Sequence, residues 1–173
     1  MQPPLSKLER EIAAALRGLT EGQTQLRLSP DAWSIQQTIE HLQLTYNSSV
    51  KSFAGRLAKG NPTRSRPTSQ QRLVKFVVVT LGLMPGRHTA PPEVTPAASP
   101  QALSGDSLAH SVAASLEQLD GIIAQADHSF GALPCMTHFA LGPLSASQWR
   151  RFHLCHGRHH IRQILAIRQA HHL

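Results

Sequence analysis

The chain has 173 residues, of which 40% are hydrophobic, which is enough for one well-formed core but short for two. We therefore expect a single domain over residues 1–173. The formal charge of +7 brings nucleic acid, anionic membranes and acidic small molecules into consideration, because each would neutralise lysines and arginines. Aromatic residues make up only 5%, and the arginines are not interleaved with them, so the composition does not favour nucleic acid.

The cysteine content and the hydropathy pattern bear on the cellular compartment. Two cysteines, Cys135 and Cys155, are too few for a disulfide framework, and no secretory leader pattern precedes the first helical segment. We therefore expect a cytoplasmic protein. The most apolar run, Leu73 to Met84, contains Lys75 and is much shorter than the ~20 residues of a membrane-crossing helix. The sequence predicts no transmembrane segment and no membrane partner.

The first part of the chain predicts two long helices. Apolar residues recur at steps of three and four from Leu5 to Leu19, which indicates the first helix. Ser34 and Gln37 have the spacing of a capping box, in which each side chain satisfies a free backbone amide of the other residue. This pair opens a second amphipathic helix, which we expect to end at Gly60.

A short helix and a long loop follow. The stretch Gln70 to Leu83 is apolar and predicts a short extra helix between the second and third long helices. Met84 to Ser104 contains five prolines and predicts a loop over residues 84–104. Loops of this length are uncommon in compact domains unless they are functional or mobile. The loop therefore either folds over the mouth of a pocket or is a flexible insertion.

The remaining chain predicts two more long helices. Helical spacing from Asp106 to about Ala126 indicates the third, and Leu133 to Leu144 is an irregular link. Ser145 and Gln148 form another capping-box pair, which opens a last helix from Ala146 to about Ala170. Four long helices without a convincing strand pattern predict an all-α fold, arranged as a four-helix bundle.

Histidines on two of these helices have the spacing of metal ligands. His156 and His160 are four residues apart on the inward stripe of the last helix, so both imidazoles can reach one ion at ~2.0–2.1 Å. His41, next to the core position Leu42 of the second helix, is the candidate for a third ligand. Gln163, one turn beyond His160, would hold a ligand imidazole in one tautomer. The sequence thus predicts one divalent metal ion bound by His41, His156 and His160.

Two alternatives bear on this site. A chain with 11 histidines contains His pairs by chance, and inward histidines are often satisfied by hydrogen bonds within the core. The helical zinc proteases need His-Glu-x-x-His, because the glutamate acts as a general base. Gly157 stands at that glutamate position, so a metalloprotease of this type is not expected. Three imidazoles suit zinc, nickel, copper or iron, and the residues do not distinguish among them.

These residues resemble a known group of proteins. Trp33-Ser34, His41-Leu42 and the closing stretch His156 to Gln163 are similar to the DinB-like, or YfiT-like, superfamily of metal-binding four-helix bundles. The segment His138 to Ser145, leading into Trp149, resembles the His-Pro-x-x-Gly-x-(Leu/Met)-(Ser/Thr) and Trp signature of one branch, with phenylalanine in place of the proline. The resemblance implies helices in up-down-down-up order around nickel, zinc, iron or another divalent ion.

The resemblance also implies a function. Characterised members carry out metal-dependent S-transfer or isomerisation of small-molecule substrates with a low-molecular-weight thiol. His138, on the loop that leads into the ligand helix, would then be the catalytic proton carrier or substrate-orienting group. The alternative is a non-catalytic, stress-related module that binds a metal or ligand. An apolar helix face left uncovered would form a homodimer, and Lys75 to Met84 is the candidate run.

Overall fold

The computed structural model describes residues 5–84 and 90–173, and most of them are helical. The α-helices in chain order are α1 (Ser6–Leu16), α2 (Glu21–Thr24), α3 (Ile35–Lys59), α4 (Ser69–Lys75), α5 (Gly105–Phe130) and α6 (Ala146–Ala170). A π-helical turn, Phe76–Thr80, continues α4, and a 3-10 turn occupies Pro92–Val94. The predicted all-α class is confirmed. Within 5–84 and 90–173, no helix has the length and apolar character needed to span a membrane.

The ends of the long helices follow from local sequence signals. Both predicted capping boxes are present: the hydroxyl of Ser34 accepts from the Gln37 amide, and that of Ser145 accepts from the Gln148 amide. Helix α3 ends at Gly60, whose backbone has a φ of +64°, a conformation that glycine adopts without a Cβ penalty. Two further capping boxes open the short helices, one at Thr20 before α2 and one at Thr68 before α4. Helix α2 was not predicted from the sequence.

The long helices pack against one another around a shared core. Helix α5 contacts α1, α3 and α6, and α6 also contacts α1 and α3. Helix α5 begins close against the end of α1, because the backbone amide of Gly105 donates to the carbonyl of Leu19 at 2.9 Å. A Cβ at Gly105 would meet the carbonyl oxygen of Leu16, so this position requires glycine.

The predicted irregular link contains a small hairpin. Strands β1 (Met136–His138) and β2 (Gly142–Leu144) pair antiparallel, with Thr137 opposite Pro143. The expectation of no strands is therefore wrong for this short segment, since strands of three residues are too short to show a period-two pattern. The indole of Trp149 donates to the carbonyl of Met136 at 3.4 Å, which ties the hairpin to the beginning of α6.

The described part of the predicted loop lies along the first turns of α3. The side-chain amide nitrogen of Gln37, Nε2, donates to the carbonyl of Ala97 at 2.9 Å. The fully buried Gln36 donates to the carbonyl of Gln101 at 2.7 Å and accepts from the backbone amide of Leu103 at 2.9 Å. These hydrogen bonds hold the end of the loop against the helix that carries His41. Residues 85–89 of the predicted loop lie outside the described residues.

Candidate metal centre

Three histidines from two helices converge inside the protein. His41 comes from α3, and His156 and His160 come from α6. The Nε2 atom of His156 is 3.3 Å from Nε2 of His41 and 3.0 Å from Nε2 of His160. One nitrogen of each ring lies within 4.8 Å of the others, and all three side chains are buried. The structure therefore brings together the three predicted ligands, and they could hold a metal ion.

Two of the three rings are oriented by hydrogen bonds on their outer side. The Nδ1 atom of His41 donates to the carbonyl of Val94 at 2.7 Å, and Nδ1 of His160 donates to Oε1 of Gln163 at 2.8 Å. Because oxygen acceptors fix the proton on Nδ1, the lone pair of each Nε2 faces the cluster. Gln163 therefore occupies the position that the sequence predicted for it, whereas the Val94 carbonyl was not foreseen.

Two of the three nitrogen separations match the requirements of a shared ion, and the third, between His41 and His160, lies within 4.8 Å. Two nitrogens bound to one ion at ~2.0–2.1 Å, at tetrahedral or octahedral angles, lie about 2.8–3.4 Å apart. The observed distances of 3.0 and 3.3 Å fall in this range. Within the described parts of the chain, no carboxylate or thiolate joins the cluster. The donor set is thus three imidazoles, which suits zinc, nickel, copper or iron.

The surroundings keep these imidazoles neutral. Burial lowers the pKa of His160 to about 3, and it lowers the pKa of His156 well below the usual range, with mutual repulsion of the rings adding to both effects. Burial also lowers the pKa of His41. A neutral imidazole is the form that binds metal. Burial therefore keeps all three rings in the protonation state that metal binding requires.

Aromatic rings cover two of the ligands. The ring of Trp33 packs against His41, with centroids 4.9 Å apart. The ring of Phe152 stacks on His156 at 5.4 Å with an interplanar angle of 10°. These contacts restrict rotation of the imidazoles and contribute apolar walls to the cluster.

His138, the predicted catalytic residue, lies on β1 rather than in this cluster. Its Nδ1 atom accepts from the backbone amides of Ala140 and Leu141 at 3.1 and 3.3 Å. The Phe152 ring contacts His138 on one side, with centroids 4.6 Å apart, and stacks on His156. Burial lowers the pKa of His138 to about 4. His138 is therefore a neutral group that touches the ligand helix through an aromatic ring.

A second buried polar pair lies on the same two helices. Tyr46 on α3 and His153 on α6 are both fully buried, and their rings meet edge to face at 5.6 Å. Within the described chain, the Tyr46 hydroxyl, both His153 nitrogens and Nδ1 of His156 have no hydrogen-bond partner. The spacing of His153, three residues before His156, indicated an inward side chain, whereas nothing in the sequence indicated that the tyrosine hydroxyl is buried without a partner.

Gly157 is explained by packing. A Cβ at this position would lie 2.6 Å from Cδ2 of Leu8 and 3.1 Å from the hydroxyl oxygen of Tyr46. Cys135 and Cys155 are also buried and lie outside the histidine cluster. At the position that carries the general base in helical zinc proteases, a side chain would therefore have to displace Leu8 and Tyr46.

A comparison with protein families gives one match. The family model described as "Protein of unknown function (DUF1569)" matches residues 5–166, a range that includes all three histidines and Gln163. No curated protein and no solved structure matches the chain. Because the family model covers nearly the whole sequence, the chain belongs to this family, the proteins of unknown function DUF1569.

Proposed function

We propose that this protein binds one divalent metal ion through His41, His156 and His160, and that it is a metal-dependent enzyme acting on a small molecule. The observation that carries the proposal is the orientation of the rings. The Nδ1 protons of His41 and His160 are held by oxygen acceptors outside the cluster. The Nε2 atoms of these two rings therefore direct their lone pairs inward and lie 3.3 and 3.0 Å from Nε2 of His156. Outer acceptors of this kind are typical of histidine metal ligands.

We also propose that α1, α3, α5 and α6 form a DinB-like four-helix bundle in up-down-down-up order. The mutual packing of these four helices supports this arrangement. Further support comes from the long connection over residues 60–104, because a long crossover is needed where consecutive helices of a bundle run in the same direction. The ligands would then come from the second and last long helices, as the resemblance implies.

The donor set supports Lewis-acid chemistry. Three imidazoles leave coordination positions open, and a divalent ion there would polarise a substrate or lower the pKa of a bound thiol or water. Nickel, zinc and iron all suit this set. We propose a thiol-dependent S-transfer or isomerisation with a low-molecular-weight thiol, which rests on the DinB-like resemblance. The Phe152 ring packs against both His138 and His156, so His138 contacts this ring near the proposed metal ligand. Its role as a proton carrier stays a prediction.

A second candidate is a non-catalytic metal-binding module. The burial of the three histidines, which are 5–8% exposed, favours it. A cavity of about 410 Å³ is present between α3, β1 and the start of α6, with Ser49, Arg56 and Trp149 in its wall, but none of the three histidines lines it. A site that substrates do not reach would store or sense metal rather than use it in turnover.

Metal analysis of protein purified without an affinity tag tests the site. We expect about one equivalent of metal in the wild type. His41→Ala and His156→Ala should lose it while far-ultraviolet circular dichroism shows retained helicity. His128→Ala provides the matched control, because this histidine is exposed on α5. A wild type that takes up no metal even after reconstitution would overturn the proposal.

Cobalt substitution then separates the two candidates. An open coordination position should bind an added small thiol, and a sulfur-to-cobalt charge-transfer band would appear in the absorption spectrum. This result would support the enzyme. A cobalt spectrum that thiols and other small ligands leave unchanged would indicate a closed site and favour the binding module.

A further inference from the structure

The positive charge of this protein is concentrated in one segment. Between Glu40 and Glu93 the sequence contains eight lysines and arginines and no acidic residue. The rest of the chain has nine basic and ten acidic residues, a net charge of −1. The segment's +8 therefore exceeds the formal charge of +7 for the whole molecule. Three of these cations, Arg64, Arg66 and Arg72, are exposed in α4 and just before it, and they give that part of the surface a positive charge.

This basic segment also exposes large apolar side chains. Val78 and Val79 point into the core and are 4% and 7% exposed. By contrast, the side chains on the outer side of α4 and of the turns after it are more than half exposed, a set that comprises Leu73, Phe76, Leu81 and Leu83. We call these four residues the α4 surface. Because Val78 and Val79 already provide the core contacts of this segment, packing within the protein does not explain why the four other apolar side chains are exposed.

The backbone brings the members of the α4 surface close together. Leu73 and Phe76 are three residues apart and share one side of the helix. The amide of Leu81 then donates to the carbonyl of Phe76, and the amide of Leu83 donates to the carbonyl of Val77, both at 3.1 Å. These hydrogen bonds end the π-helical turn and place the backbone of Leu81 next to that of Phe76 and the backbone of Leu83 next to that of Val77.

Cations accompany the α4 surface without acidic partners. Arg72 lies next to Leu73 and is exposed, and Arg64 and Arg66 are exposed in the segment that leads into α4. The salt bridges of the described chain lie elsewhere, between Arg150 and Asp120 and between Arg158 and Glu11. The guanidinium groups near the α4 surface are thus available to an external anion.

The combination of charge and apolar exposure favours one kind of partner. A second copy of the chain would place two cationic surfaces against each other, which is electrostatically unfavourable. Duplex nucleic acid would neutralise the cations but would leave Leu73, Phe76 and the later leucines without apolar contacts. An anionic lipid surface offers both components, because its phosphates attract lysine and arginine while its acyl region accepts leucine and phenylalanine.

We propose that the α4 surface docks this protein onto anionic membranes. Helix α4 lies along the lipid interface, with Leu73 and Phe76 directed into it and Arg66 and Arg72 near the headgroups. The sequence led to the expectation of no membrane partner, because Leu73 to Met84 is too short to cross a bilayer, and it made Lys75 to Met84 a candidate dimer surface. The exposure of the α4 surface in the folded protein changes that expectation. The docking is peripheral, and the proposal is independent of the metal site.

Co-sedimentation with lipid vesicles tests the proposal. Binding should be absent with phosphatidylcholine vesicles, increase as phosphatidylglycerol is added, and decrease with salt. Leu73→Ser combined with Phe76→Ser should weaken binding to anionic vesicles by about tenfold or more at unchanged charge. Leu28→Ser is the matched control, because Leu28 is 52% exposed on another part of the surface.

A second pair of variants tests the charge. Arg66→Gln combined with Arg72→Gln should weaken vesicle binding by about tenfold. Lys7→Gln combined with Arg10→Gln removes the same charge from exposed positions of α1 and should have little effect.

Several outcomes would overturn the proposal. The first is equal binding to neutral and anionic vesicles, and the second is undiminished binding by the Leu73→Ser, Phe76→Ser variant. The third is a wild-type dimer that this variant does not form, and the fourth is salt-sensitive binding to duplex nucleic acid without binding to vesicles. His156→Ala should bind vesicles as the wild type does, so failure of the metal proposal and failure of the docking proposal are distinguishable.

Discussion

The Nδ1 atom of His160 lies 2.8 Å from Oε1 of Gln163, one turn further along α6. The amide nitrogen of Gln163 donates to Nε2 of His159 at 3.1 Å, so both ends of the amide are engaged. With its proton held on Nδ1, His160 directs the lone pair of Nε2 towards His156. The glutamine thus fixes both the tautomer and the orientation of a proposed metal ligand.

Removing this acceptor should weaken metal binding. Gln163→Leu leaves the Nδ1 proton of His160 without its oxygen, and losses of such outer contacts typically reduce metal affinity about 10–100-fold. Gln163→Glu keeps an oxygen acceptor and should retain most of the affinity. Competition with a chromophoric chelator measures the change, and Gln169→Leu, exposed on the same helix, is the control. An unchanged dissociation constant in Gln163→Leu would show that Gln163 does not support the site.

Two glycine-to-alanine substitutions should have opposite effects on stability. Gly157→Ala places a Cβ 2.6 Å from Cδ2 of Leu8 and 3.1 Å from the Tyr46 hydroxyl, and overpacking of this kind costs about 1–3 kcal/mol. Gly121→Ala in α5 meets no atom within 4 Å and should raise the free energy of unfolding by about 0.5–1 kcal/mol. Urea denaturation measures both variants. A stabilising Gly157→Ala would show that the contact between α1 and α6 at this point is loose.

Features that depend on neighbouring residues could be predicted from the sequence. The capping boxes at Ser34 and Ser145 are formed by residues three positions apart, and they were predicted correctly. The His156 and His160 pair is local in the same way. His41 could be added because it lies next to the core position Leu42 on a second amphipathic helix.

Features that depend on distant contacts could not be predicted. The acceptor for His41 is the carbonyl of Val94, which is 53 residues away in the sequence and could be any backbone group of the loop. The β1–β2 hairpin is too short for a periodic pattern. The exposure of Phe76 and the burial of Val78 are decided by which side of α4 meets the core, and both residues are equally apolar in the sequence.

The loop that supplies the Val94 carbonyl should depend on Gln36. Gln36→Ala removes the donor to the Gln101 carbonyl and the acceptor for the Leu103 amide, and unsatisfied groups of this kind cost about 1–3 kcal/mol. We expect faster amide hydrogen exchange over residues 94–104 and weaker metal binding through His41. Gln70→Ala, at an exposed position of α4, is the control. Unchanged exchange in this region would show that the loop is held by other contacts.

The two cysteines should react slowly in the folded protein. Burial raises the pKa of Cys135 to about 11 and also raises the pKa of Cys155. Because the thiolate is the reactive form, the labelling rate of Cys135 at neutral pH should be low and should increase about tenfold per pH unit up to its pKa. Alkylation followed by mass spectrometry measures this rate, and the protein unfolded in guanidinium provides the reference. Rapid labelling of native protein at pH 7 would contradict the buried positions of both thiols.

The hydroxyl of Tyr46 should contribute little to stability. It is fully buried, and no partner lies within hydrogen-bond distance in the described chain. Burying an unpaired hydroxyl is unfavourable, so Tyr46→Phe should leave the free energy of unfolding unchanged or increase it. Thr24→Val is the contrasting variant, because the equally buried Thr24 hydroxyl donates to the Leu103 carbonyl at 2.8 Å.

Thermal and urea unfolding of both variants separate the two cases. Thr24→Val should lower the free energy of unfolding by about 1–3 kcal/mol, because it leaves the Leu103 carbonyl without its donor. A loss of similar size in Tyr46→Phe would mean that the tyrosine hydroxyl has a partner in solution. The adjacent candidate is His153, whose ring lies 5.6 Å from that of Tyr46 and whose nitrogens are also unpaired within the described residues.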